Sequence, residues 1–172
     1  MSNSAHAPTR LSTYQAVHQN CMQSVRKGGF VHHDTLRFEV LPNEFVLSGE
    51  IACLGQIVIQ VEKHLAIIGG DYDDPLVQTI QYRYNASVRG WDTFLRNDNS
   101  HPYPGHPDDH HRHVEDLWTG EKLVEWVGEA RWPTLTDFVN DVQDWYYAHR
   151  DKLPDPEALP ILGLWAPMFA HE

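Results

Sequence analysis

The segment 56-QIVIQVEKHLAII-68 is the clearest guide to the architecture. Ile57, Ile59 and Val61 fall on alternate positions and share one face, the period of a half-buried β-strand. Gly55 precedes the run and the pair Gly69-Gly70 follows it, while 71-DYDDP-75 reads as an acidic turn. Working outward, 45-FVLSGEIACL-54 repeats the signature. In 35-TLRFEVL-41, Leu36, Phe38 and Val40 alternate with polar neighbours. On the other side, 77-VQTIQYRYNASV-88 resumes the pattern, and a turn near 85–90 leads into 91-WDTFLRND-98. Connections this short between consecutive alternating runs predict an antiparallel meander.

Two helices flank this region. In 12-STYQAVHQNCMQSVRKGG-29, Tyr14, Val17, Cys21 and Val25 recur at three- and four-residue intervals, with Ser12 or Thr13 placed to cap the start. In 135-LTDFVNDVQDWYYAHRDKL-153, Leu135, Phe138, Val139, Val142, Trp145 and Tyr146 form a wide apolar stripe. Thr134 and Asp137 resemble a capping box, and Pro154 stops the helix. The expected class is α+β, an antiparallel sheet packed by an N-terminal and a C-terminal helix. Residues 1–10 read as a polar, mobile lead-in and 11–153 as one domain. The tail 154–172 carries four prolines and an apolar cluster that includes Ile161, Leu162, Trp165 and Phe169, and is expected to dock on the domain or on a partner. The segment 115–133 reads as an amphipathic connector or strand pair, with Trp118, Trp126 and Trp132 packing.

Composition narrows the function classes. The 172 residues suffice for one domain with a real core, and no apolar run approaches the roughly 20 residues that cross a bilayer. The first residues hold no apolar signal segment, and Cys21 and Cys53 lack metal or redox spacing, so a reduced, cytoplasmic protein is expected. The formal charge is −11, with lysine only at 27, 63, 122 and 152. Such a surface repels polyanions, so nucleic-acid binding needs a local cationic patch or high salt.

The stretch 95-LRNDNSHPYPGHPDDHHRHVED-116 stands apart, with five histidines, two arginines and five carboxylates. Pro102, Pro104 and Pro107 forbid regular structure between Asn99 and Asp109. A strand at 110-HHRHV-114 puts His111 and His113 on one face, with His110 and Arg112 on the other. If it pairs with 91–98, Arg96, Asp98 and the histidines meet at one end of the sheet. Three readings fit. RNA carries its own nucleophile, so phosphodiester cleavage needs a base, an acid and a cation. His111 and His113 can supply the proton transfers, Arg96 and Arg112 the charge, and Asp98 can orient an imidazole, without a cofactor. Alternatively, His111 and His113 with Asp98, Asp108 or Asp109 make a His/carboxylate set for a transition metal, as in a metal-dependent hydrolase. The third reading is a solvated loop on a non-catalytic interaction module. Arg96 and His101 also have the Arg-x4-His spacing of an all-helical ribonuclease family, but they fall at a strand end and in a proline-rich loop, so the spacing reads as coincidence. Tyr82 and Tyr84 alternate on a strand and read first as packing residues.

From about Gly55 to Tyr147 the chain resembles the TumE family, toxins of two-gene toxin–antitoxin systems. The resemblance rests on strands like 56–68, the Tyr-rich 80-IQYRY-84, then 95-LRNDN-99, a His/Pro-rich loop, 110-HHRHV-114 and the helix 135-LTDFVNDVQDWY-146. Where the family often has Arg-Tyr-Asp-Asn, this chain has Arg96-Asn97-Asp98-Asn99. The resemblance implies a toxin-like protein, a helix-turn-helix antitoxin as partner and an RNA substrate. It brings forward Arg96, Asp98, Asn99, His110, His111 and His113 as catalytic candidates. Arg112, Arg89 and Tyr84 complete the candidate substrate contacts.

Overall fold

The computed structural model describes residues 6–163. Its two α-helices and nine strands form an α+β fold, in chain order β1 (Thr9–Arg10), α1 (Leu11–Arg26), β2 (Val31–Asp34), β3 (Arg37–Val40), β4 (Glu44–Cys53), β5 (Ile57–Gly70), β6 (Pro75–Val88), β7 (Thr93–Asp98), β8 (His111–Glu115), β9 (Lys122–Trp126) and α2 (Leu135–His149). All strand pairs are antiparallel. The sheet runs β2-β4-β5-β6-β7-β8-β9, with β3 beside β2 along β4 and β1 on the far end of β6. No helix among the described residues is long and apolar enough to cross a membrane.

Alternation along the long central strands divides the sheet into two unlike faces. One carries Ile57, Ile59, Val61, Tyr82, Tyr84 and Ala86, all buried, and receives Phe138, Val139 and Val142 of α2 and Met22 of α1. Tyr84 meets Phe138 at 5.4 Å between ring centroids, and Phe94 stacks on Trp145 at 3.8 Å. Phe94 reaches this face because of a bulge. Ala86 pairs with Leu95 and Ser87 with Thr93, leaving Phe94 unopposed and turning both Phe94 and Leu95 inward. The bulge also sets the parity of everything after it, so Arg96 and Asp98 point to the opposite face.

The helix ends show where local signals sufficed. At α2, Thr134 accepts from the Asp137 amide at 3.1 Å and Asp137 accepts from the Thr134 amide at 2.8 Å, the capping box the sequence predicts. At α1 neither Ser12 nor Thr13 is the cap. The helix begins one residue earlier, and Asp74 of the acidic turn accepts from the Ser12 amide and hydroxyl, both at 2.9 Å. A carboxylate from a distant turn takes the place of a local cap at the positive end of the helix.

Part of the lead-in is ordered by packing. His6 stacks on Trp132 at 3.9 Å, and β1 pairs with β6. Residues 1–5 lie outside the described residues. The same holds for 164–172, with most of the apolar cluster foreseen in the tail. From 154 to 163 the tail follows the domain: Tyr146 donates to Pro156 O, Gln56 N to Ala158 O and Gly163 N to Glu50. The stretch 115–133, read as an amphipathic connector or strand pair, supplies β9, which pairs with β8, and a short turn of 3-10 helix at Glu129–Arg131.

Candidate functional site

The sheet face away from α1 and α2 is polar over its central strands. Register places Gln60 opposite Asn85, Asn85 opposite Arg96, Arg83 opposite Asp98, Asp98 opposite His111, and Arg96 opposite His113. Directly opposed residues of antiparallel strands project to the same side. Two residues from β7 and two from β8 therefore form a square, Arg96–Asp98–His111–His113, as the alternation in the sequence requires.

The loop 99–110 is folded back over this square. His111 stacks on Tyr103 at 4.9 Å, Tyr103 on His106 at 4.7 Å, and His106 on Trp126 at 5.4 Å, a continuous pile of rings that seals His111 from solvent. Asp108 holds the loop from below, accepting from the His110 amide, the Trp126 indole and the Glu129 amide. Asp109 accepts from the Tyr103 amide. These two carboxylates, proposed from the sequence as metal ligands, are spent on loop architecture. The loop also delivers His101, a residue set aside in the sequence, onto the square. Its ring centroid lies 4.5 Å from that of His111 and 6.4 Å from that of His113.

Asp98 is the hub. Its side chain is fully buried and accepts from Arg96 Nε at 2.7 Å, from Ser100 Oγ at 2.8 Å and from the Ser100 amide at 3.1 Å. His101 Nδ1 lies 3.1 Å from Oδ1, and His111 Nε2 lies 3.6 Å from Oδ2. Burial pushes the Asp98 carboxyl up, but the Arg96 and Ser100 hydrogen bonds and the guanidinium charge outweigh it and hold the group below the usual carboxylate range. Burial, reinforced by Arg96, lowers His113 to about 4, and burial lowers His101 more than Asp98 raises it. Beside His113 opens a cavity of about 210 Å³ lined by Asn85, Thr93, Arg96, Glu115 and Lys122.

The other sequence candidates lie elsewhere. Arg112 points to the helix side, where it pairs with Asp141 of α2 at 2.9 Å. His110 is buried on the same side between Tyr82, at 5.7 Å, and Trp132, at 4.6 Å. Tyr84 is wholly buried in the core, out of reach of a substrate. Asn99 extends the β6–β7 pairing, accepting from the Tyr82 amide and donating to Ile80 O. Arg89 reaches the tail at Ile161 O. For His110 and Arg112 the reason is parity: 110 and 112 alternate with 111 and 113, so one strand cannot present all four side chains to one site. Of the nine candidates, Arg96, Asp98, His111 and His113 converge, and His101 joins them. Only loop closure reveals it, since no periodicity links position 101 to 111 and 113.

Compared with known protein families, curated proteins and solved structures, the chain has no match. It is an α+β protein with a helix-packed apolar sheet face and a histidine-rich polar centre on the other.

Proposed function

We propose that this chain cleaves RNA at the Arg96–Asp98–imidazole cluster and is the toxin-like member of a two-gene system whose partner is a helix-turn-helix antitoxin. The observation that carries the RNA reading is the convergence of one cation, one carboxylate and three imidazoles on the helix-free face, beside an open cavity. The pairing with an antitoxin is supported by the TumE resemblance in 95-LRNDN-99 and 110-HHRHV-114. Arg96 is fixed by Asp98 through Nε, while its Nη atoms form no hydrogen bond among the described residues, so they remain for a phosphate oxygen. His113, whose neutral, proton-accepting form burial favours, takes the 2′-hydroxyl proton as that oxygen attacks phosphorus, and a second imidazole of the cluster gives a proton to the departing 5′-oxygen as the P–O5′ bond breaks. Asp98 orients Arg96 and the ring of His101, while the Asp109 backbone oxygen holds His111. With a net charge of −11, approach of RNA is expected to improve as salt rises, the reverse of a basic ribonuclease.

The test is incubation of the full chain with a structured RNA and a DNA of the same sequence. RNA is cut to 2′,3′-cyclic phosphate ends, DNA is spared, and Arg96→Ala lowers the rate by roughly 10²–10³, the loss typical of removing one donor to a developing oxyanion. RNA left intact by the wild-type chain at low and high salt overturns the proposal and leaves a non-catalytic interaction module.

A further inference from the structure

His111 has one buried ring nitrogen with no hydrogen-bond partner. Its Nδ1 lies 2.7 Å from the Asp109 backbone oxygen. A carbonyl only accepts, so Nδ1 holds the hydrogen and a neutral ring presents its lone pair at Nε2. That atom is buried, has no hydrogen-bond partner, and looks across 3.6 Å at the Asp98 carboxylate. Two acceptors facing each other in a wholly buried setting are repulsive unless something positive lies between them. His113 Nε2 is likewise buried and unpartnered. His101 brings a third ring nitrogen, and one ligand atom from each of the three histidines lies within 4.8 Å of the others. Among the described residues no other group of three histidine, cysteine or carboxylate side chains converges so closely.

We propose that His101, His111 and His113 bind a divalent transition metal of the zinc class, with the Asp98 carboxylate beside the ion, facing His111 Nε2. The proposal rests on the reading of this cluster as the functional centre, but not on RNA as its substrate. Three imidazoles suit zinc, cobalt or nickel, whereas magnesium and calcium take oxygen ligands. The hydrogen bond from His111 to a backbone carbonyl is the outer contact that metal-bound histidines make. Zn–N bonds of about 2.0–2.1 Å place tetrahedral ligand nitrogens about 3.4 Å apart, so the rings must draw in by up to about 1.4 Å. His101 can supply that movement. It sits on the loop with its side chain 44% exposed, whereas His111 is locked by the ring pile. With three protein ligands a fourth position stays open for water, whose proton the ion makes labile near neutral pH.

The test is calorimetric titration of the EDTA-stripped full chain with zinc, together with the visible spectrum on adding cobalt. One ion per chain and the intense bands of four-coordinate cobalt are expected. His101→Ala removes an exposed side chain, so the fold survives, as circular dichroism checks. It should weaken zinc by more than about tenfold, the loss that even an outer partner of a ligand can bring. The double variant His32→Ala with His33→Ala removes an adjacent exposed pair on β2 and should leave the affinity unchanged. Absence of stoichiometric binding, or binding indifferent to His101→Ala, overturns the proposal. The two readings fail separately. RNA cleavage that survives EDTA in a chain that binds no zinc sinks the metal site alone, and zinc binding without RNA cleavage sinks the ribonuclease alone.

Discussion

Replacing Asp98 with asparagine changes one oxygen to an amide nitrogen at the hub of the cluster, and the geometry fixes what that costs. Both carboxylate oxygens accept: Oδ2 from Arg96 Nε, and Oδ1 from the Ser100 amide and hydroxyl. Asparagine has one acceptor oxygen, so its NH2 group must occupy one of the two positions. At Oδ2 it faces the Arg96 N–H and forfeits a charge-assisted hydrogen bond, a loss of roughly 1.5–3 kcal/mol. At Oδ1 it forfeits two neutral bonds, about 1 kcal/mol each. The Oδ2 orientation recovers part of this, because the NH2 group can then donate to His111 Nε2, and Arg96, whose side chain is 27% exposed, regains some hydration. A net destabilisation of about 2 kcal/mol follows, which for a chain of this length lowers Tm by roughly 4–8 °C. Differential scanning calorimetry at pH 7 in EDTA measures it without any contribution from bound metal. A double-mutant cycle with Arg96→Ala should return a coupling of at least about 1 kcal/mol. An Asp98→Asn chain as stable as wild type, or a coupling near zero, would refute the claim that Asp98 organises the site.

Two further expectations come from outside the cluster. His6 is stacked on Trp132, and its pKa is lowered to about 4 by burial and by Lys63. Between pH 6.5 and 4 the unfolded chain therefore binds a proton that the folded chain refuses, so stability is full above 6.5 and falls as the solution is acidified. From pH 7 to pH 5 this group accounts for about 2 kcal/mol, and His6→Phe, which keeps the stack, should flatten the pH dependence of urea unfolding by that amount. Parallel curves for the two chains would show that His6 titrates normally. Arg112→Ala tests the parity argument. It breaks a half-exposed pair with Asp141, costs no more than about 1 kcal/mol, and should leave RNA cleavage and zinc affinity within a factor of two or so of wild type. A loss of activity as large as that from Arg96→Ala would move the centre to the other face of the sheet.

The two carboxylates at 108 and 109 show how composition misleads in a loop. A cluster of Asp and His in sequence resembles a ligand set, yet Asp108 already accepts from two backbone amides and an indole, and Asp109 from one amide. Their oxygens tie the loop to itself, to the Trp126 indole of β9 and to the start of the short 3-10 turn at Glu129, a structural duty at those positions.

Features that repeat with a short period are legible along the chain. Alternation in 45–54, 56–68 and 77–88 specifies strands and their faces, because a side chain two residues on must return to the same side. The i, i+3, i+4 stripe of 135–146 specifies α2 for the corresponding helical reason. The sequence also determined that 111 and 113 share a face and that 110 and 112 do not. Only the tertiary structure decided the rest. The bulge at Phe94 sets which face Arg96 and Asp98 take, Asp74 caps a helix more than sixty residues away, and a loop with no period carries His101 onto β8. These depend on how distant segments meet in space, which is fixed by packing and by the satisfaction of buried polar groups and leaves no periodic mark along the chain.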